Sequence, residues 1–261
     1  MTAEAVEALR TEVEHVKAVL DDLDEETWSL ASGCEGWTIK DLVAHLASDF
    51  DAVLNPGSGP PAEGDEPFTE PAVRASRGSS VAEVRARYES LAAAGCDALA
   101  GLQEPPMADV EVPIATLGTY PLHLVANALA FDHWCHLRVD LARPRGPLDI
   151  DVPANDDAVA ATVEWLLAGL PQMNASRLNP AVTRPVVLEL TGPGGGTWSL
   201  VPADGGFTVQ AGAVDDAVAV VRSTTTDFVV WSTQRAPWRD SATVTGDVDF
   251  ASAVLDLVNL E

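Results

Sequence analysis

Lysine is nearly missing from this chain: Lys17 and Lys40 are the only two in 261 residues. All told, 15 basic residues face 40 acidic ones, for a formal net charge of −25. A surface of that sign repels phosphate backbones and anionic lipid, so neither nucleic acid nor a membrane surface is an expected partner. The acids are dispersed along the chain rather than gathered in blocks, the pattern of a solvated exterior.

Cysteine is equally sparse. Cys34, Cys96 and Cys135 form no paired spacing, which argues against a disulfide framework and against a thiolate zinc site. They are expected as small buried hydrophobes, with Cys135 singled out because it adjoins His136. No run approaches the ~20 continuous apolar residues of a membrane helix. The opening MTAEAVEALRTEVEHV is charged from the start and lacks the apolar stretch of a signal peptide. A cytoplasmic protein is expected, as a monomer or homodimer.

Hydrophobic residues make up 47% of the chain, enough for a sizeable core. The first half reads as helical. Val6, Leu9, Val13, Val16, Val19, Leu20 and Leu23 recur at amphipathic spacing over 3–26. The segment SGCEGW breaks that pattern, and Thr38 with Asp41 forms a capping box for a second helix to about 54. Residues 55–78 read as a long loop with room for a short helical turn. Ser80 with Glu83 caps a third long helix over about 81–102, and 103–118 read as a second loop. Pro121 suits the first turn of a fourth helix running to about 142. Four such helices fit a bundle whose ligand sites are built from facing side chains.

The second half changes character. Asn155 caps a helix over about 156–170, followed by β-rich runs at 186–190, 197–202, 207–212 and 217–222, a helix at about 225–235, a strand at ATVTG and a last helix over about 247–259. The fold class is therefore α+β: a helical bundle over 1–150, then a small α+β domain over 151–261 with a mostly antiparallel sheet.

Asp132 and His136 lie four positions apart, so both leave one face of the fourth helix. His45 sits among Leu42, Val43 and Leu46 on the second helix, where an inward imidazole needs a partner. Together they offer two histidines and a carboxylate with positions left open, the set used by catalytic zinc and non-haem iron. The same residues are also consistent with a satisfied core histidine and a simple helix hydrogen-bond pair. His133, three before His136, rivals Asp132; His15 and His123 suit packing or surface roles.

The segment GCEGWTIKDLVAHLASDF resembles the GW-T-x-x-D-L-x-x-H-L signature of the mycothiol-dependent maleylpyruvate isomerase family, through Gly36, Trp37, Thr38, Asp41, Leu42, His45 and Leu46. FDHWCHLRVDL is similar to that family's E-x-x-x-H-x-x-D-L helix, with Asp140 displaced by one residue. The resemblance implies a DinB-like metal-binding bundle followed by a sterol-carrier-protein-like domain. It implies a divalent metal, usually zinc, held by His45, Asp132 and His136. It also implies mycothiol, the low-molecular-weight thiol of actinobacteria, as co-substrate of an isomerase or thiol transferase acting on a small electrophile. Arg235 is the candidate catalytic residue of the second domain, meeting a substrate carboxylate. Asp132 departs from the family's glutamate and is one methylene shorter. Trp37 and Trp134 are most simply core or cleft packing, with a place for Trp37 in the lining of the substrate cleft also open, and Arg138 is open between a functional role and a surface ion pair.

Overall fold

The computed structural model describes residues 2–60 and 66–260. Two compact units are present. One runs to Val110 and resumes over Pro121–Ala158; the other comprises Glu111–Tyr120 and the chain from Val159 onward.

The first unit is built from α1 (Thr2–Asp21), α2 (Ile39–Leu54), α3 (Glu70–Ser76), α4 (Val81–Ala100) and α5 (Leu124–Cys135). α2 packs on α4 and α3, and α1 packs on α5. Each buries the stripe that its periodicity sets: Val6, Leu9, Val13, Val16 and Leu20 from α1; Leu42, Val43, Leu46 and Phe50 from α2; Val84, Tyr88, Ala92, Cys96 and Leu99 from α4. Both expected capping boxes form. Thr38 accepts from Asp41 N and Ser80 from Glu83 N, while each acid accepts from the cap's own amide. The α2–α4 contact is close because Gly95 has no side chain: a Cβ there would stand 2.4 Å from Phe50 Cδ1.

Three details differ from the sequence expectation. The stretch read as a loop over 103–118 contains β1 (Glu111–Ile114), which pairs with β2 (Gly118–Pro121). Pro121 therefore closes a strand, and α5 begins three residues later at Leu124. The fourth helix does not stay α-helical to 142, because His136–Leu141 is wound as a π-helix.

In the second unit α6 (Asp156–Gly169) and α7 (Ala175–Leu178) precede β3 (Val186–Thr191), β4 (Gly196–Ala203), β5 (Gly206–Ala211) and β6 (Ala219–Thr224), then α8 (Thr225–Ser232), β7 (Thr243–Gly246) and α9 (Val248–Leu255). The five-stranded sheet has the order β5-β4-β3-β6-β7. Every pairing is antiparallel except β3 with β6, so the sheet is mostly antiparallel. The central β3 is buried on both faces through Val186, Val187, Leu188 and Leu190. α8 stops short of the expected residue 235 because Gln234 takes a left-handed φ of 57°, and Arg235 N closes the end by bonding Val230 O at 3.0 Å. Among the described residues no helix is long and apolar enough to cross a membrane.

Candidate metal centre

The capping box at Thr38 starts α2 so that His45 falls beside Leu42 and Leu46 on the buried face. Its imidazole is 4% exposed, and that of His136, at the start of the π-helical turn, is 5% exposed. The two rings meet edge to face with centroids 5.2 Å apart. His45, Asp132 and His136 each present a ligand atom, and these atoms all lie within 4.8 Å of one another. Asp132 Oδ2 stands 3.9 Å from His45 Nε2 and keeps a side chain 27% exposed. Two buried imidazoles and a part-exposed carboxylate this close together are a donor set that suits a divalent cation with vacant coordination positions.

His133, the rival to Asp132, is placed elsewhere. It is fully buried in the core, its ring stacked on Tyr88 and 5.2 Å from Phe50, with Nδ1 donating to Leu129 O at 2.8 Å. Burial, helped slightly by the nearby His136 charge, holds it down to about 3, so it stays neutral.

The other face of His136 is also engaged. Nδ1 lies 2.9 Å from Asp140 Oδ2 and 3.7 Å from Cys34 Sγ. Burial disfavours its charge, but the bonds to Asp140 and Cys34 outweigh burial and raise its pKa to about 10. Asp140 is fully buried and is itself held: Arg145 Nε donates to Oδ1 at 3.2 Å, while Arg145 Nη2 donates to Gly33 O at 2.7 Å. Gly33 N donates to Asp140 O at 2.7 Å. The approach needs glycine, since a Cβ on Gly33 would stand 2.9 Å from Asp140 Cα. The carboxylate of Asp140 thus meets His136 within the π-helical turn.

Sequence reasoning missed two residues. Cys34, not Cys135, is the thiol at the site; Cys135 is fully buried and Cys34 half-buried. Its contact with His136 spans 102 positions, and local spacing carries no signal for it. Asp49, one turn after His45, places Oδ2 3.5 Å from His45 Nε2. The four-residue rule that picked Asp132 with His136 would have found it.

Trp37 packs beside the site, its ring 5.2 Å from that of His45 and its Nε1 donating to Glu70 Oε2 at 2.9 Å. Arg138 is committed to structure: it pairs with the fully buried Glu12 of α1, donates to Pro153 O at 2.6 Å and lies 5.6 Å from the Trp134 ring. His15 joins that cluster 3.5 Å from Glu12, and His123 Nδ1 donates to Ala108 O at 2.9 Å. Arg235 is half-buried in the second unit, in the turn after α8.

The family model for the mycothiol maleylpyruvate isomerase N-terminal domain matches residues 9–142, just over half the chain. The crystal structure of the mycothiol-dependent maleylpyruvate isomerase is similar with a TM-score of 0.60 at 21% identity, covering 95% of each chain. That of a histidine-to-alanine mutant of the enzyme gives 0.59 at 21% identity, again over 95% of each. At this identity the two crystal structures establish the likeness of fold. No curated protein sequence matches the chain.

Proposed function

From the premise that the chain belongs to the family of the mycothiol maleylpyruvate isomerase N-terminal domain, we propose that it is a metal-dependent enzyme using mycothiol on a small electrophile. The observation that carries this reading is the convergence of His45, Asp132 and His136 within 4.8 Å. A divalent cation there, zinc first among candidates, would supply Lewis acidity that brings a thiol to its thiolate near neutral pH.

The chain's own residues have separable tasks in this reading. His45 and His136 offer Nε2. Asp140 accepts from His136 Nδ1, so that a cation would displace the other proton, on Nε2, and bind there. Asp132 supplies the carboxylate on the half-open side. Trp37, held by Glu70, gives the pocket an apolar wall beside His45. A thiol held there would supply the nucleophile for a conjugated electrophile, adding and leaving again for cis–trans isomerisation or being retained, with protonation of the adduct, for conjugation. No protein nucleophile is required. Arg235 is proposed to meet a carboxylate of the substrate.

The test is calorimetric titration of metal-loaded protein with mycothiol, paired with turnover of maleylpyruvate, the neighbour's namesake substrate. We expect saturable thiol binding that chelation abolishes, thiol-dependent turnover, and a KM rise of tenfold or so in Arg235→Ala from the lost charged hydrogen bond. Metal retained without thiol binding contradicts the mycothiol reading and leaves a thiol-independent hydrolase or lyase. Absence of both leaves a non-catalytic scaffold.

A further inference from the structure

We propose that Cys34, His136 and Asp140 form a second cation site, built on the other ring nitrogen of His136, that takes a thiophilic divalent ion. It goes beyond the metal-centre reading and leans on it only in giving Nε2 of His136 to the first ion. Cys34, His136 and Asp140 each present a ligand atom, and these atoms all lie within 4.8 Å of one another. Nδ1 is the ring nitrogen on that side, 3.7 Å from Cys34 Sγ and 2.9 Å from Asp140 Oδ2. Donors sharing a tetrahedral ion with one thiolate stand roughly 3.4 to 3.6 Å apart. The two spacings bracket that range, so side-chain shifts of about half an ångström seat an ion.

The loop that carries the thiol is fixed on both sides of it. Cys34 N donates to Ser32 Oγ at 3.2 Å, and Cys34 O accepts from Trp37 N at 3.1 Å. Gly33 joins the π-helical turn at two points, donating to Asp140 O at 2.7 Å and accepting from Arg145 Nη2 at 2.7 Å. Backbone contacts, rather than helix spacing, therefore bring Cys34 to the His136–Asp140 pair. Asp140 and His136 are buried while Cys34 is half-buried, which makes the thiol side the way in.

A thiolate, an imidazole and a carboxylate are a softer set than His45, Asp132 and His136. Soft donors select ions such as zinc and cadmium over magnesium or calcium. Binding sends the thiol proton of Cys34 and the Nδ1 proton of His136 to solvent. The ion also faces the guanidinium of Arg145, which donates to Asp140 Oδ1 at 3.2 Å. Two displaced protons, that guanidinium and a first ion on the same ring all oppose it, so this site fills second and only when ion is in excess. Once filled, it replaces the hydrogen bond by which Asp140 orients His136, and so ties an excess of thiophilic metal to the state of the first centre.

Cadmium(II) reports this directly, because thiolate-to-cadmium charge transfer absorbs in the ultraviolet and the first centre contains no sulfur. The full chain, loaded with one equivalent of zinc, is titrated with cadmium alongside Cys34→Ser and His45→Ala, each checked for a native circular dichroism spectrum. Wild type is expected to gain one thiolate-bound cadmium per chain, and Cys34→Ser none. His45→Ala, which removes a ligand of the first centre only, should keep the band, and Asp132→Asn serves if His45→Ala misfolds. Adding Asp140→Asn to His45→Ala should weaken cadmium by at least about tenfold. A band absent from wild type, or persisting in Cys34→Ser, overturns this inference and leaves the metal-centre reading standing. A band lost in folded His45→Ala and Asp132→Asn also overturns it, since cadmium would then lie in the first centre with Cys34 as its ligand. A chain that shows the Cys34-dependent band but holds no zinc upholds this inference and sinks the metal-centre reading.

Discussion

Asp140 holds His136 through a 2.9 Å hydrogen bond to Nδ1, within a π-helical turn and with no exposure of its own. That bond decides which nitrogen of His136 faces His45 and Asp132. Partners of this kind typically govern metal affinity by about 10- to 100-fold. Asp140→Asn is expected to lower affinity within that range while one ion per chain still binds at saturation, measured by chelator competition. An unchanged affinity would contradict the positioning role.

Thiol chemistry separates the three cysteines. Cys96 is buried and its thiol pushed up to about 11, mainly by burial; Cys135 is fully buried; Cys34 is half-buried. Reactivity follows exposure and thiolate character. Native protein treated with a thiol reagent is expected to modify one cysteine per chain, Cys34 by peptide mapping, and Cys34→Ser to modify none until unfolded. Labelling of Cys135 in the native state would contradict the packing described.

The Glu12–Arg138 pair ties α1 to the π-helical turn, with Glu12 fully buried. Removing one partner of a buried pair strands the other charge and costs about 3 kcal/mol or more. Glu12→Gln should lower urea-unfolding stability by about that amount. A loss under about 1 kcal/mol, the range of a surface pair, would show that the guanidinium finds solvent.

Gly95 sets the α2–α4 approach. An alanine Cβ would stand 2.4 Å from Phe50 Cδ1, and Phe50 is fully buried against Tyr88 and His133. Overpacking of this kind costs about 1–3 kcal/mol. Gly95→Ala is expected to fall in that range by thermal or chemical unfolding, and a variant as stable as wild type would mean that the two helices separate freely.

What was legible in the sequence was what repeats locally. The stripes of α1 and α4, the capping boxes at Thr38 and Ser80, and the β-rich runs of β3 and β4 follow from residues within a turn or two of each other. So did the shared face of Asp132 and His136. The β1–β2 hairpin escaped because two four-residue strands, the first interrupted by Pro113, carry too little pattern. The π-helical turn has no periodicity signature of its own, so Asp140 looked displaced until its carboxylate was found on His136. Cys34 and Glu12 gain their meaning from partners more than a hundred positions away, which spacing cannot supply. Arg138 was open between roles until its buried partner was known.

The central claim is that two imidazoles and a carboxylate share one divalent ion. Elemental analysis of purified wild type, His45→Ala and His136→Ala tests it most directly. About one metal per chain is expected in wild type, as for a single three-ligand site, and none in either variant. Wild-type protein that carries no metal and cannot be reloaded with zinc would contradict the account.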